Sequence, residues 1–308
     1  MVDKFYINHL AVLGVGLIGG SLIKALRRAG CVGYVTGFGR SRSSLDQALA
    51  LGVIDDASDS MSVAVGTADI VVVASPLSTN TDLFAAMRDE LQPHAIVTDV
   101  GSVKGSVIEA GREHLTPDQF TRFVPGHPVA GTEKSGVEAA FAELFDNHRV
   151  ILTPVDETDT QALQTISAMW RQAGAEIVEL PFRQHDAILA ATSHLPHMLA
   201  YALVDCLAGM SEHEELFRFA AGGFADFTRI ASSSPQMWHD ICFANRDELL
   251  VVMERFQQQL QMLTQAIRDD DRDAVIEIFV RAKWARDCFN DLRLADKTVG
   301  GKDGDTSE

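Results

Sequence analysis

The chain has 308 residues, 46% apolar and 22% charged, which is enough to bury a sizeable core and, by length, to form two domains. Its formal net charge of −17 argues against nucleic acid or an anionic membrane surface as partner. Any anion site must therefore be built locally from Arg, Lys, His or backbone N–H groups. Cys31, Cys206, Cys242 and Cys288 form no Cys-x-x-Cys pair and fit reduced thiols in a cytoplasmic protein. The longest uncharged run near the N-terminus, Leu10 to Ile23, is shorter than the ~18–20 residues of a membrane span and lacks a signal-peptide cleavage pattern.

Residues 7–13, Ile-Asn-His-Leu-Ala-Val-Leu, predict a short buried strand. Gly14-Val15-Gly16-Leu17-Ile18-Gly19-Gly20-Ser21 follows, then helical spacing from Leu22 to Leu26. Strand, G-x-G-x-x-G and helix together are the context a dinucleotide site requires. Gly14 permits the tight turn, Gly16 lets the pyrophosphate approach the backbone, and Gly19 lets the helix pack on the strand. Leu17 and Ile18 fall in the same loop, at the helix N-terminus that faces the phosphates.

The second strand is expected at Tyr34–Phe38. An NAD-preferring site usually ends this strand in an acid, but here the chain reads Gly37-Phe38-Gly39-Arg40-Ser41-Arg42. Arg40 and Arg42 are either solvated loop residues or acceptors of a 2′-phosphate, so the cofactor is NAD+ or NADP+. A helix is predicted over Leu45–Leu51, a doubly buried strand over Ala68–Ala74, a helix over Leu83–Leu91 and a strand over Ala95–Asp99. Strand–helix alternation predicts an α/β fold with a doubly wound parallel sheet. Ligands of such sheets lie at the carboxyl ends of the strands, where Ser75, Asp99, Ser102 and Lys104 fall; Ser75 and Asp99 are taken as cofactor contacts.

Phe123-Val124 leads into a Gly- and Pro-rich stretch, Pro125 to Gly136, which contains His127, Glu133 and Lys134. This predicts a sharply turning loop that presents one imidazole to a ligand. Strands over Val150–Pro154 and Ala175–Leu180, around a helix with Met169 and Trp170, are expected to close a nucleotide domain spanning residues 1–181.

Helical patterns dominate residues 182–294. Pro196 should kink or start a helix within Gln184–Leu207, and His194 and His197 share a face there, as structural or functional histidines. Asp226 and Arg229, three apart after Gly222-Gly223, are either a surface ion pair or an anion-binding arginine held by its neighbour. Ser234-Pro235 looks like a capped helix start. Long helices are expected over Ile241–Ile267 and Asp273–Leu294, with apolar stripes suited to a core or a dimer seam, and a disordered tail over 295–308.

The sequence resembles the prephenate dehydrogenases, a family that includes the arogenate and cyclohexadienyl dehydrogenases of tyrosine synthesis. The resemblance rests on the glycine loop, Thr98–Lys104, Gly126–Glu133, Ser193–His197 and Gly223–Ile230, in the family's order. It implies a Rossmann-type domain followed by an all-α domain that forms a homodimer. It implies His127 as catalytic base and Ser102 as the residue that bonds the substrate hydroxyl and orients His127. By the same resemblance Arg229 grips the ring carboxylate, with Asp226 and Glu133 in the ionic network around it. His197 contacts the substrate side chain, with His194 and Gly222 close by, and Trp238 lies near the partner subunit's site. Gly39-Arg40 departs from the acid of many members and puts NAD selectivity in doubt. The chain ends where the helical domain should, leaving no room for a mutase or regulatory domain.

No metal, nucleic acid or membrane is expected, and the substrate is prephenate or arogenate, with a weak lean to prephenate because His197 suits a keto acid better than an ammonium. A β-hydroxyacid dehydrogenase would need a lysine on the helical domain, and none occurs between Lys134 and Lys283. A non-catalytic dinucleotide sensor would have no reason to hold Ser102, His127 and Arg229 together.

Overall fold

The computed structural model describes residues 5–132, 134–211 and 213–299. The chain divides into two compact units, Met1–Leu249 and Leu250–Glu308.

The first unit opens with β1 (Ile7–Leu13), α1 (Leu17–Arg28), β2 (Val32–Phe38), α2 (Arg42–Ala50), β3 (Asp56–Ser58), α3 (Met61–Val65), β4 (Ile70–Val73) and α4 (Asn80–Met87). Next come β5 (Ile96–Asp99), α5 (Gly105–His114), α6 (Pro117–Thr121) and β6 (Phe123–Val124). The six strands form one parallel sheet in the order β3-β2-β1-β4-β5-β6. Order reverses between β1 and β4, so their carboxyl ends part and leave a crevice there. Ile70 to Val73 are buried without alternation, as a strand covered by helices on both faces requires. One apolar core lies on the α1 face, around Leu10, Leu22, Leu26 and Trp170; the other lies around Leu13, Phe84, Val97 and Phe123.

After β6 the chain departs from the predicted plan. Gly126–Pro128 is not loop but a short strand, β7, antiparallel to β8 (Arg149–Leu152). After α7 (Thr160–Gln172), β9 (Glu176–Glu179) pairs parallel to β8. These three strands form a separate sheet rather than extending the first. The cause lies at the junction. Pro125 has no N–H to continue the ladder, and Gly126 turns its own N–H to the Asp99 carboxylate at 3.1 Å.

From Pro181 onward the described residues are helical. α8 (Phe182–Leu189) runs through one π-helical turn, Ala190–His194, into α9 (Leu195–Ala208). The π turn lies just ahead of Pro196, whose ring cannot continue a regular ladder. By length and composition this segment could cross a membrane. In this fold it buries His185, Asp186 and His194 against its own chain, each with a hydrogen-bond partner. α10 (His213–Arg218), α11 (Gly222–Thr228) and α12 (Pro235–Ala244) follow. Ser234 caps α12 as expected, its hydroxyl accepting from Met237 N at 3.4 Å. Trp238 and Ile241 of α12 pack with Val103 into a small third core.

The helix predicted from Ile241 is interrupted at Asn245, and α13 spans Arg246–Arg268. In the second unit Asp270 takes a left-handed conformation (φ 51°), and the Asp271 carboxylate accepts from Ala274 N to start α14 (Arg272–Val299). Residues 295–299 are therefore helical rather than the start of a disordered tail. Leu260, Met262, Ile267, Ile276, Phe279, Val280 and Trp284 are all exposed in the single chain.

Candidate active site

A cavity of about 990 Å³ opens at the crevice between β1 and β4. Gly14, Val15 and Gly16 form its floor, and Ala74, Ser75 and Pro76 form one wall. Gly14 has φ +107°, and a Cβ there would meet the Ala74 carbonyl at 2.6 Å, so the turn admits glycine alone. A Cβ on Gly16 would meet nothing within 4 Å, so this backbone faces open space where a ligand can approach. α1 begins at Gly16 with no side-chain cap and no acid in its first turn. Its N–H groups are thus left for an anion, and the buried Ser75 hydroxyl on the wall has no partner among the described residues. These residues fit a dinucleotide pyrophosphate. At the far end Phe38, Gly39, Arg40, Ser41 and Ser44 line the cavity, with Asp59 opposite.

Of the expected cofactor contacts, Leu17 and Ile18 are half-buried, pack against the core and lie at the N-terminus of α1. Asp99 is 1% exposed and its carboxylate is fully engaged within the protein. It accepts from Gly101 N at 2.8 Å, from Gly126 N at 3.1 Å and from Lys104 Nζ at 2.5 Å. Lys104, itself wholly buried, also donates to the Gly126 carbonyl at 2.6 Å. Burial pulls the Lys104 pKa down, while the Asp99 carboxylate opposes that pull. The pair is the clamp that fixes β7 against the end of β5.

The clamp fixes His127, the middle residue of β7, opposite Ile151. The His127 ring is 8% exposed, and its Nδ1 lies 2.8 Å from His185 Nε2, with the rings edge to face at 75°. His185 Nδ1 lies 2.7 Å from Asp186 Oδ1. The Asp186 carboxylate also accepts from Lys104 N at 2.8 Å and Gly105 N at 2.7 Å, the first N–H groups of α5. Burial works against its ionised form, but the His185 ring and the two backbone donors outweigh it and lower its pKa. Burial is also the main cause that pushes the His127 pKa well below the usual imidazole value; His185, Lys104 and His194 push the same way. His127 is therefore a neutral imidazole at neutral pH.

Ser102, expected to orient His127, is half-buried on the β5–α5 connection. Among the described residues it makes no hydrogen bond to His127; His185 holds the ring instead. Neither His185 nor Asp186 was singled out from the sequence.

His194 is buried at the junction of α8 and α9, its Nδ1 accepting from Asn245 Nδ2 at 3.1 Å. The same amide nitrogen donates to the Asp186 carbonyl at 2.9 Å. Burial lowers the His194 pKa to about 4. His197 Nδ1 is 2.8 Å from the Ser193 carbonyl, which can only accept, so Nδ1 carries the proton and Nε2 offers a lone pair. Burial lowers the His197 pKa, the bond to Ser193 opposes this, and the nearby Arg229 charge adds to it. Trp238 stacks on His197 with centroids 3.6 Å apart and is buried within its own chain. Gly222 and Asp226 lie on α11 and Arg229 at the turn that follows, all exposed in the single chain. Glu133 lies outside the described residues.

Comparisons with known proteins identify the family. The profile of the prephenate dehydrogenase nucleotide-binding domain matches residues 22–179, and that of the prephenate dehydrogenase dimerization domain matches 182–281. Cyclohexadienyl dehydrogenase of Zymomonas mobilis is 39% identical over 91% of this chain and 95% of its own length. Prephenate dehydrogenase of Bacillus subtilis is 35% identical over 91% of this chain and 76% of its own. Among solved structures, Aquifex aeolicus prephenate dehydrogenase in complex with hydroxyphenyl propionate and NAD+ is 36% identical. It superposes with a TM-score of 0.85, covering 92% of this chain and 99% of that one. The chain is an NAD(P)-dependent oxidoreductase and belongs to the prephenate dehydrogenase family.

Proposed function

We propose that the protein oxidatively decarboxylates prephenate to 4-hydroxyphenylpyruvate and CO2, with His127 as general base. The observation that carries this reading is a buried, neutral imidazole pinned through Nδ1, with no partner at Nε2 among the described residues. A base in that state takes the proton of the substrate's ring C4 hydroxyl at Nε2, and Ser102 bonds the same hydroxyl. Bound NAD(P)+ would supply a hydride acceptor, held by the Gly14–Gly16 backbone and the α1 N-terminus. Loss of hydride from C4 lets the C1 carboxylate leave as CO2 and the ring become aromatic. Arg229 supplies the cation for that carboxylate, supported by its charge reaching His197, so that the anion and side-chain subsites adjoin. Gly222 and Asp226, on the helix that precedes Arg229, are its neighbours in this reading. General-base help is worth roughly 10²–10⁴-fold, and fixed geometry contributes up to ~7–11 kcal/mol in favourable cases.

Arogenate is a second reading, favoured by one observation. With Nδ1–H given to Ser193, neutral His197 offers an acceptor, which suits the arogenate ammonium better than the prephenate keto oxygen. The helical part forms a homodimer, supported by the exposed apolar residues of α13 and α14. Arg40, with Ser41 and Ser44, admits NADP+ as well as NAD+. Following NAD(P)H absorbance with prephenate and with arogenate, each with either cofactor, tests all of this except the dimer. No turnover of either substrate would refute the activity.

A further inference from the structure

From the buried contacts around His127 we propose that His185 and Asp186 form a proton relay behind the base, so that the proton taken from substrate is balanced by charge on His185 rather than held on His127. This rests on the reading of His127 as the base.

The direction of each bond follows from the end of the chain. Asp186 Oδ1 already accepts from Lys104 N and is held ionised, so His185 Nδ1 must donate to it. A neutral His185 then has only a lone pair at Nε2. His127 must therefore donate through Nδ1–H across the 2.8 Å contact, which leaves its lone pair at Nε2. The carboxylate thus sets the tautomer of a ring it does not touch.

The same geometry serves once the substrate proton arrives. His127 Nε2 gains it, Nδ1–H passes its own proton to His185 Nε2, and the His185 Nδ1–H stays on Asp186. One proton enters, no bond is left open, and the positive charge comes to rest 2.7 Å from a carboxylate. Holding the charge on His127 would be worse, because Lys104 and His194 lie on the neighbouring elements and disfavour it, with Asp99 already committed to Lys104. His185 and Asp186 touch neither substrate nor cofactor in this scheme and are positioning residues.

Asp186 also starts α5, so its loss could act through folding alone. A double-mutant cycle separates the two roles. A glutamine at 185 can accept from His127 Nδ1–H through its amide oxygen but cannot take a proton. His185→Gln should keep the tautomer, leave KM nearly unchanged, lower kcat about tenfold, and move the acid limb of the kcat profile to lower pH. Asp186→Asn can donate to His185 Nδ1 and reverse every bond in the chain, blocking Nε2 of His127. It should cost on the order of 10⁴-fold, the scale of a wrong tautomer.

In the His185→Gln background, Asp186→Asn should cost little, because the glutamine no longer reads the carboxylate. An equal loss in both backgrounds would show that Asp186 acts only by holding α5 and would overturn the relay. His185→Gln with wild-type turnover and an unmoved acid limb would overturn it without any Asp186 variant. If His127→Asn proves active, it is the base assignment that fails; an inactive His127→Asn with an additive cycle fails the relay alone.

Discussion

The molecule holds its two reactants by opposite means. The dinucleotide cleft is made of backbone and lies open. Gly14, Gly16 and the start of α1 come from one stretch of chain, and few side chains take part. The centre around His127 is made of side chains and is buried. It gathers Asp99 and Lys104, His127, His185 and Asp186, His194 and Asn245 from four separated segments. A cofactor with a fixed phosphate geometry needs only a shaped anion site. A proton transfer needs one nitrogen in one tautomer, and that takes several groups to enforce. The first kind of site rests on a few consecutive backbone positions, while the second depends on side chains that the fold must bring together.

Three measurements sharpen this contrast, taken from the largest effect to the smallest. His127→Asn should lower kcat by about 10²–10⁴-fold while leaving the cofactor dissociation constant unchanged. Loss of cofactor binding in that variant would mean that the two sites are not independent.

The second concerns stability. His194 has its pKa lowered from 6.5 to about 4 by burial, so the unfolded chain binds a proton there before the folded one does. Its contribution is complete above pH 6.5 and is lost as pH falls toward 4, a change on the order of 3 kcal/mol. His127, shifted the same way, adds to it. Denaturant unfolding at pH 7 and pH 5 should show the decline, and His194→Gln should flatten it. An equally steep variant would place the pH dependence elsewhere.

The third tests Arg40, a charged side chain that lines the cleft just after the second strand. Arg40→Ala should weaken NADP+ relative to NAD+ by roughly tenfold, about 1.4 kcal/mol, and leave kcat with NAD+ alone. An unchanged ratio would return Arg40 to the solvated loop.

The same contrast decides what the sequence made legible. Parallel strands buried on both faces are apolar runs, so β1, β4 and β5 could be read almost to the residue. The glycine loop was legible because its chemistry lies within a few consecutive positions. His127 could be picked out by its neighbours, but its support could not. Arg183-Gln184-His185-Asp186 reads as the polar first turn of a helix, and no spacing links it to residue 127. One signal was available: His185 falls four residues before Leu189, on the stripe that must be buried. Asp99 was placed correctly at a strand end, but that rule does not say which way a carboxylate turns. The second sheet was hidden because apolar alternation marks a strand without naming the sheet it joins. Pro125 and Gly126, read as loop residues, were the break between the sheets.

The hydrogen bond between His127 and His185 crosses residue 181, where the match to one family domain gives way to the next. The proposed base belongs to one half and the histidine that holds its ring belongs to the other. A chimera joined at that point inherits both halves of the chemistry only if the incoming helix brings a histidine and an acid in the same two places. The boundary most convenient for cutting the gene is thus the one that separates the proposed base from the histidine bonded to it.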